Sequence, residues 1–137
     1  MQVQHLKTGE DGAYSILVNM GMCDDLKDLI ISSSEGEKFF SEIEAPRMSD
    51  YLPVEEDPDG RIFTVRLDKV CAEVSNLREE DGHYYMNLRP IGAVKEVLLN
   101  FIKKEVAIML KPRYAYRRTE GKVTQFKVVA FDVVGLM

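Results

Sequence analysis

Tryptophan is absent from this 137-residue chain, and cysteine and histidine occur only twice each. The cysteines, Cys23 and Cys71, share no Cys-x-x-Cys spacing, so they read as reduced thiols rather than a disulfide framework. Together with His5 and His83 they show no recognisable spacing of the roughly four nitrogen or sulfur ligands that a structural zinc needs. Neither a metal nor another cofactor is expected. No apolar run approaches the ~18 residues of a membrane-spanning helix. The opening Met1-Gln-Val-Gln-His-Leu-Lys7 lacks the apolar centre of a secretory signal. Positive charge is also in short supply. Lys and Arg number 18 against 23 Asp and Glu, a net charge of −5, so nucleic acid is a disfavoured partner. The polar stretch Ser32-Ser-Ser-Glu-Gly-Glu37 lacks the glycines and lysine of a phosphate-binding loop and reads as an exposed break.

What is present suits one domain with one core. Residues 1–12 are turn-rich and read as a flexible start. Ala13 to Met20 is strand-like, Asp24 to Ile31 has helical character with Leu26, Leu29 and Ile30 on one face, and Phe39 to Pro46 reads as a strand ending at its proline. Residues 47–61 form a long acidic loop containing Glu55-Glu-Asp-Pro-Asp-Gly60, whose charge is explained by solvation. Phe63, Val65 and Leu67 alternate with polar residues as in a strand, and Val70 to Leu77 continues it. Arg78-Glu-Glu-Asp-Gly82 is a turn, and Tyr84 to Arg89 returns with Tyr84, Met86 and Leu88 on one face and His83 exposed beside the turn. Ala93 to Lys104 carries a helical apolar stripe of Val94, Val97, Leu98, Phe101 and Ile102. Val106 to Leu110 suits a strand buried on both faces. Tyr114 to Val134 folds back on itself through Thr119-Glu-Gly121. The expectation is a β-rich α+β domain, a compact barrel or sandwich of about six to seven mostly antiparallel strands with one main covering helix.

The carboxylates Glu42, Glu44 and Asp132 have no spacing that demands acid–base work, and solvent-facing strand positions account for them. Lys111, Arg113, Tyr114, Tyr116, Arg117 and Arg118, with Lys122 beyond, interleave basic and aromatic residues. That pattern fits a charged hairpin face, an acidic protein partner, or a stacking site for nucleotides or nucleic acid.

The order of these segments resembles the tailed-phage prohead (capsid maturation) proteases, which share a fold with the herpesvirus assemblins. Ser41-Glu-Ile-Glu-Ala-Pro46 stands where that family carries Gly-Glu-x-x-His-Pro, and Thr64-Val-Arg-Leu-Asp-Lys-Val70 resembles its next segment. Gly92-Ala-Val-Lys-Glu-Val-Leu-Leu-Asn-Phe-Ile102 resembles the family helix. Val106 to Tyr114 aligns with the serine-bearing strand, and Phe131-Asp-Val-Val134 with the closing strand. The resemblance spans residues 39–134 and implies a protease fold, a phage origin, and a place in the host cytoplasm during infection or in the virion.

The same resemblance implies that the chemistry is gone. The family histidine falls on Ala45, the two serines fall on Lys111 and Pro112, and the glycine after the matching Arg113 is Tyr114. A serine nucleophile needs a base to take its proton, and neither residue is in place. Without them, Arg113 has no oxyanion to stabilise. The expected role is therefore non-catalytic: binding a capsid component or a host or phage factor. Alternatives are a rearranged hydrolase pairing Lys111 with Ser32, Ser33, Ser34, Ser41 or Ser49, and a nucleotide or nucleic-acid binder using residues 111–122. Strand edges near 13–20 and 122–134 leave pairing between copies open.

Overall fold

Side-chain alternation accounts for most of the sheet. In β2 (Tyr14–Val18), Ile16 and Val18 are buried while their neighbours are partly exposed. In β5 (His83–Pro90), Met86 and Leu88 are fully buried, as the alternation predicted. A computed structural model describes residues 6–7, 13–20, 26–43 and 65–135. The expected flexible start, Asp24 and Asp25 at the head of the expected helix, the 47–61 loop, Ala45 and Ser49 fall wholly or mainly outside those residues.

The elements follow the order β1 (Leu6–Lys7), β2, α1 (Lys27–Ser34), β3 (Lys38–Glu42), β4 (Val70–Glu80), β5, α2 (Lys95–Lys103), β6 (Ile108–Thr119) and β7 (Lys122–Gly135). The sheet order is β3-β4-β5-β2-β6-β7, with β1 pairing β2. Among the described residues every ladder is antiparallel except the β2–β6 step, Val18 against Leu110. A parallel bridge between Ile43 and Val133 brings β7 back to β3. The sheet therefore curls almost into a barrel around Ile16, Val74, Met86, Leu88, Leu110 and Phe131. Burying each such side chain is worth roughly 1.5–3 kcal/mol.

Two local devices place α2 on the barrel. Gly92 has φ +93°, and a Cβ there would lie 2.6 Å from the carbonyl oxygen of Val70, so the chain passes too close to β4 for any side chain. At the other end, Glu105 takes φ +56°, and its N–H donates to Ile102 while Val106 N–H donates to Phe101 at 2.9 Å. That reciprocal pair is a Schellman stop, with glutamate where glycine is usual.

The structure corrects several expectations. Leu67 lies in a 3₁₀ turn (Leu67–Lys69) and is 70% exposed, because the chain is turning into β4 rather than extending. Helix α1 runs on through Ser34, so the polar break begins at Glu35, and Leu29 is exposed. Val97 faces solvent, and Leu98 is the only fully buried residue of α2. Val106 is exposed, and the strand buried on both faces starts at Ile108. The β4–β5 turn is tighter than expected. β4 reaches Glu80, and only Asp81 and Gly82, both with positive φ, form the loop.

Candidate functional site

Charged side chains meet where β3, β6 and β7 come together. Asp132 sits within Val128-Val-Ala-Phe-Asp-Val-Val134, a run apolar on both sheet faces, and Lys111 is its register partner across the ladder. Arg113 lies two residues further along β6 on the same face. Glu42 enters from β3, where a bulge between Ser41 and Glu42 shifts the register.

All four side chains are buried, Glu42 completely, Arg113 to 3%, Asp132 to 5% and Lys111 to 7% exposure. The Arg113 guanidinium binds both carboxylates. Its Nη2 donates to Glu42 Oε2 at 2.8 Å, and Nε lies 3.1 Å from Asp132 Oδ2. Main chain completes the cage. Glu42 N–H donates to Asp132 Oδ1 at 3.2 Å, and Arg66 N–H donates to Glu42 Oε2 at 3.1 Å. Glu42 Oε1 is buried, and no donor among the described residues reaches it. Such a cluster persists because its members satisfy one another, and removing one strands the rest.

Several reactive groups are similarly occupied, whereas the buried Ser34 Oγ has no partner among the described residues. The Ser41 hydroxyl donates to the carbonyl of Phe131, and Cys71 Sγ donates to the carbonyl of Ser41 at 3.4 Å. Burial, followed by the charge of Asp132, pushes the Cys71 thiol from 9.0 up to about 12, so it stays protonated and unreactive. Ser32 Oγ donates to Leu29 O at 3.3 Å, and Ser15 Oγ accepts from Arg78 Nη2 at 2.9 Å.

The carboxylates Glu42 and Asp132 therefore do not face solvent as expected. The signal available was Asp132 itself: a charge inside a run apolar on both faces has no solvent side to turn to. The basic and aromatic cluster divides along its length. Lys111, Arg113 and Tyr114 are buried, Tyr116 is half-buried, and Arg117 is exposed. Tyr114 packs against Tyr116 and Phe126 at ring-centroid distances of 6.0 and 5.5 Å. Pro112 is fully buried.

A cleft of about 290 Å³ is lined by Val18, Met20, Lys27, His83, Tyr84 and Met109 among others. Lys27 Nζ stands 5.6 Å from the centroid of the Tyr84 ring. Among the described residues no group of three His, Cys, Asp or Glu could hold a metal ion, and no helix is long and apolar enough to cross a membrane.

No family model matches the chain. It is 34% identical over 97 residues to an NADPH-dependent 7-cyano-7-deazaguanine reductase of Chlorobium phaeobacteroides (strain BS1), a match covering 66% of this chain and 79% of that protein. Among solved structures it is similar to the bacteriophage T4 capsid assembly protease, gp21. The TM-score is 0.53 over 100% of this chain and 92% of that one, at 13% sequence identity. That likeness is one of fold, and it bears out the α+β, protease-like architecture.

Proposed function

The chain belongs in sequence to the family of the NADPH-dependent 7-cyano-7-deazaguanine reductases and has the fold of a phage capsid protease, and from these premises we propose that it is a non-catalytic phage protein that works by binding another protein. The observation that carries this reading is the buried cluster. Aligned on the prohead proteases, Arg113 is the one residue of the serine strand's motif that is kept, and here Glu42 and Asp132 neutralise it. Lys111 and Pro112 stand at the serine positions and are themselves buried. A nucleophile, a base and an open oxyanion site are the minimum for acyl transfer; Ser41 donates its hydroxyl proton to the Phe131 carbonyl and Arg113 is paired with two carboxylates, which supports the non-catalytic reading. The cluster instead joins β3 to β7, so a catalytic address has become a structural fastening.

The T4 protein's name ties its fold to capsid assembly. A capsid or virion component is accordingly the first partner to seek, with a host factor the other. Tagged protein captured from infected cells and read by mass spectrometry tests this. Stoichiometric recovery of capsid, scaffold or portal proteins supports an assembly role, recovery of a host enzyme supports inhibition, and recovery of neither overturns the reading.

The sequence relative favours a second reading, hydride transfer from NADPH. A dinucleotide brings several phosphates that need convergent donors. Among the described residues the cleft beside Tyr84 offers Lys27 as its one permanent cation, with His83, Asn19 and the Tyr84 hydroxyl as further polar groups, and its volume is at the lower end of ligand pockets. The residues described do not fit that cofactor. Saturable quenching or enhancement of NADPH fluorescence by the protein would restore the reductase reading.

A further inference from the structure

We propose that the outer edge of β7, from Lys122 to Lys127, is the docking strand for an extended acidic peptide segment of the partner. This rests on the protein-binding reading above and adds to it the site and the chemistry of the partner.

Three observations converge on this edge. From Lys122 to Lys127, β7 pairs only with β6 among the described residues, so its outer side carries main-chain donors and acceptors that a further strand would satisfy. Lys122 and Lys127 are exposed along it, and Val123 and Phe126 are half-buried between them. The local charge opposes that of the whole. Residues 114–128 contain Arg117, Arg118, Lys122 and Lys127 against one acid, Glu120, in a chain whose net charge is −5.

The same features separate acidic peptide from the other occupants. A second copy docking edge to edge would set Lys122 and Lys127 against their own counterparts, and like charges opposite one another on a ladder are destabilising. A single-stranded nucleic acid needs exposed rings to stack on. Here Tyr114 is 2% exposed and packs with Tyr116 and Phe126, so the rings are spent on the hairpin's own core. A peptide strand with alternating acidic residues meets both requirements of the edge, a ladder for its main chain and cations for its carboxylates.

The test is fluorescence anisotropy of the full chain with a labelled peptide alternating Glu and Val. The controls are the matching Lys and Val peptide and an oligothymidine of equal charge. The expected result is that the acidic peptide binds, more weakly as salt rises, that the basic one does not, and that Lys122→Glu with Lys127→Glu weakens binding roughly tenfold or more while the urea midpoint holds. Absence of acidic-peptide binding at millimolar concentration, equal binding by the variant, or displacement of the peptide by oligothymidine at lower concentration would overturn the proposal. Self-association of the variant with peptide affinity unchanged would overturn it too, leaving the lysines as guards against edge pairing. The same pair of proteins used as bait separates this inference from the reading it rests on. Equal recovery of one partner by wild type and variant removes the edge and keeps the function, whereas an empty wild-type bait removes the function.

Discussion

The two ends of the β6–β7 hairpin use the same side chains in opposite ways. At the base, Lys111 and Arg113 follow one another on one face of β6 and are buried, with Arg113 paired to Glu42 and Asp132. Towards the tip, Arg117 continues that face and Lys127 lies nearby on β7, and both are exposed. Between them the aromatic rings of Tyr114, Tyr116 and Phe126 close the core. Residue type alone therefore says little. An arginine fixed by two buried carboxylates fastens strands together, and one a few residues further along lies at the surface.

The largest expected effect comes from breaking the base. Arg113→Met leaves Glu42 and Asp132 buried and facing each other, and should cost on the order of 3–5 kcal/mol in urea unfolding. Adding Glu42→Leu should recover part of that loss, because one stranded charge goes with it. A loss under about 1 kcal/mol for Arg113→Met would mean that the base behaves like surface charge and that the contrast is wrong.

Alkali should weaken the base next. The folded state holds the Cys71 proton up to about pH 12 while the ordinary thiol releases it near 9.0. The contribution of this group is complete below pH 9 and is lost as pH rises towards 12, by about 1 kcal/mol per pH unit. Cys71→Ala should remove that slope, seen as the difference between the two proteins' unfolding curves across the range. In the native protein, iodoacetamide should leave Cys71 unmodified.

Phe126→Ala addresses the boundary between the two ends. The ring is half-buried and stacks on Tyr114, so a cost of roughly 1–3 kcal/mol is expected, with amide exchange rising in residues 114–128 before the barrel. The smallest effect belongs to the tip. Lys127→Ala should change stability by less than about 0.5 kcal/mol in the same urea experiment, and a larger change would show that the tip, too, is structural.

Much of the fold could be read from sequence because alternation and turn chemistry are local. Met86 and Leu88 declared the inner face of β5, Asp81-Gly82 declared its turn, and the run from Val106 to Leu110 declared a strand covered on both sides, although that strand begins only at Ile108. What sequence did not reveal depended on distant neighbours. Leu67 alternates like a strand residue, yet the entry into β4 makes it a turn. Val97 fits the apolar stripe of α2, yet the barrel wall reaches only as far as Leu98. Glu42 and Asp132, 90 positions apart, are adjacent only because β7 returns to β3, and no spacing rule along the chain anticipates that contact. The order of segments was the more informative signal, since it pointed to the fold and marked Arg113 before its partners were known.

The central claim is that the place where a protease of this fold would act is closed by a buried ion cluster. Intact-mass analysis of native protein after exposure to a fluorophosphonate, which labels activated serines, tests it most directly. The account predicts an unmodified mass for wild type under conditions that label a serine protease control to completion. A stoichiometric adduct on the folded chain would contradict it and return the protein to the enzymes.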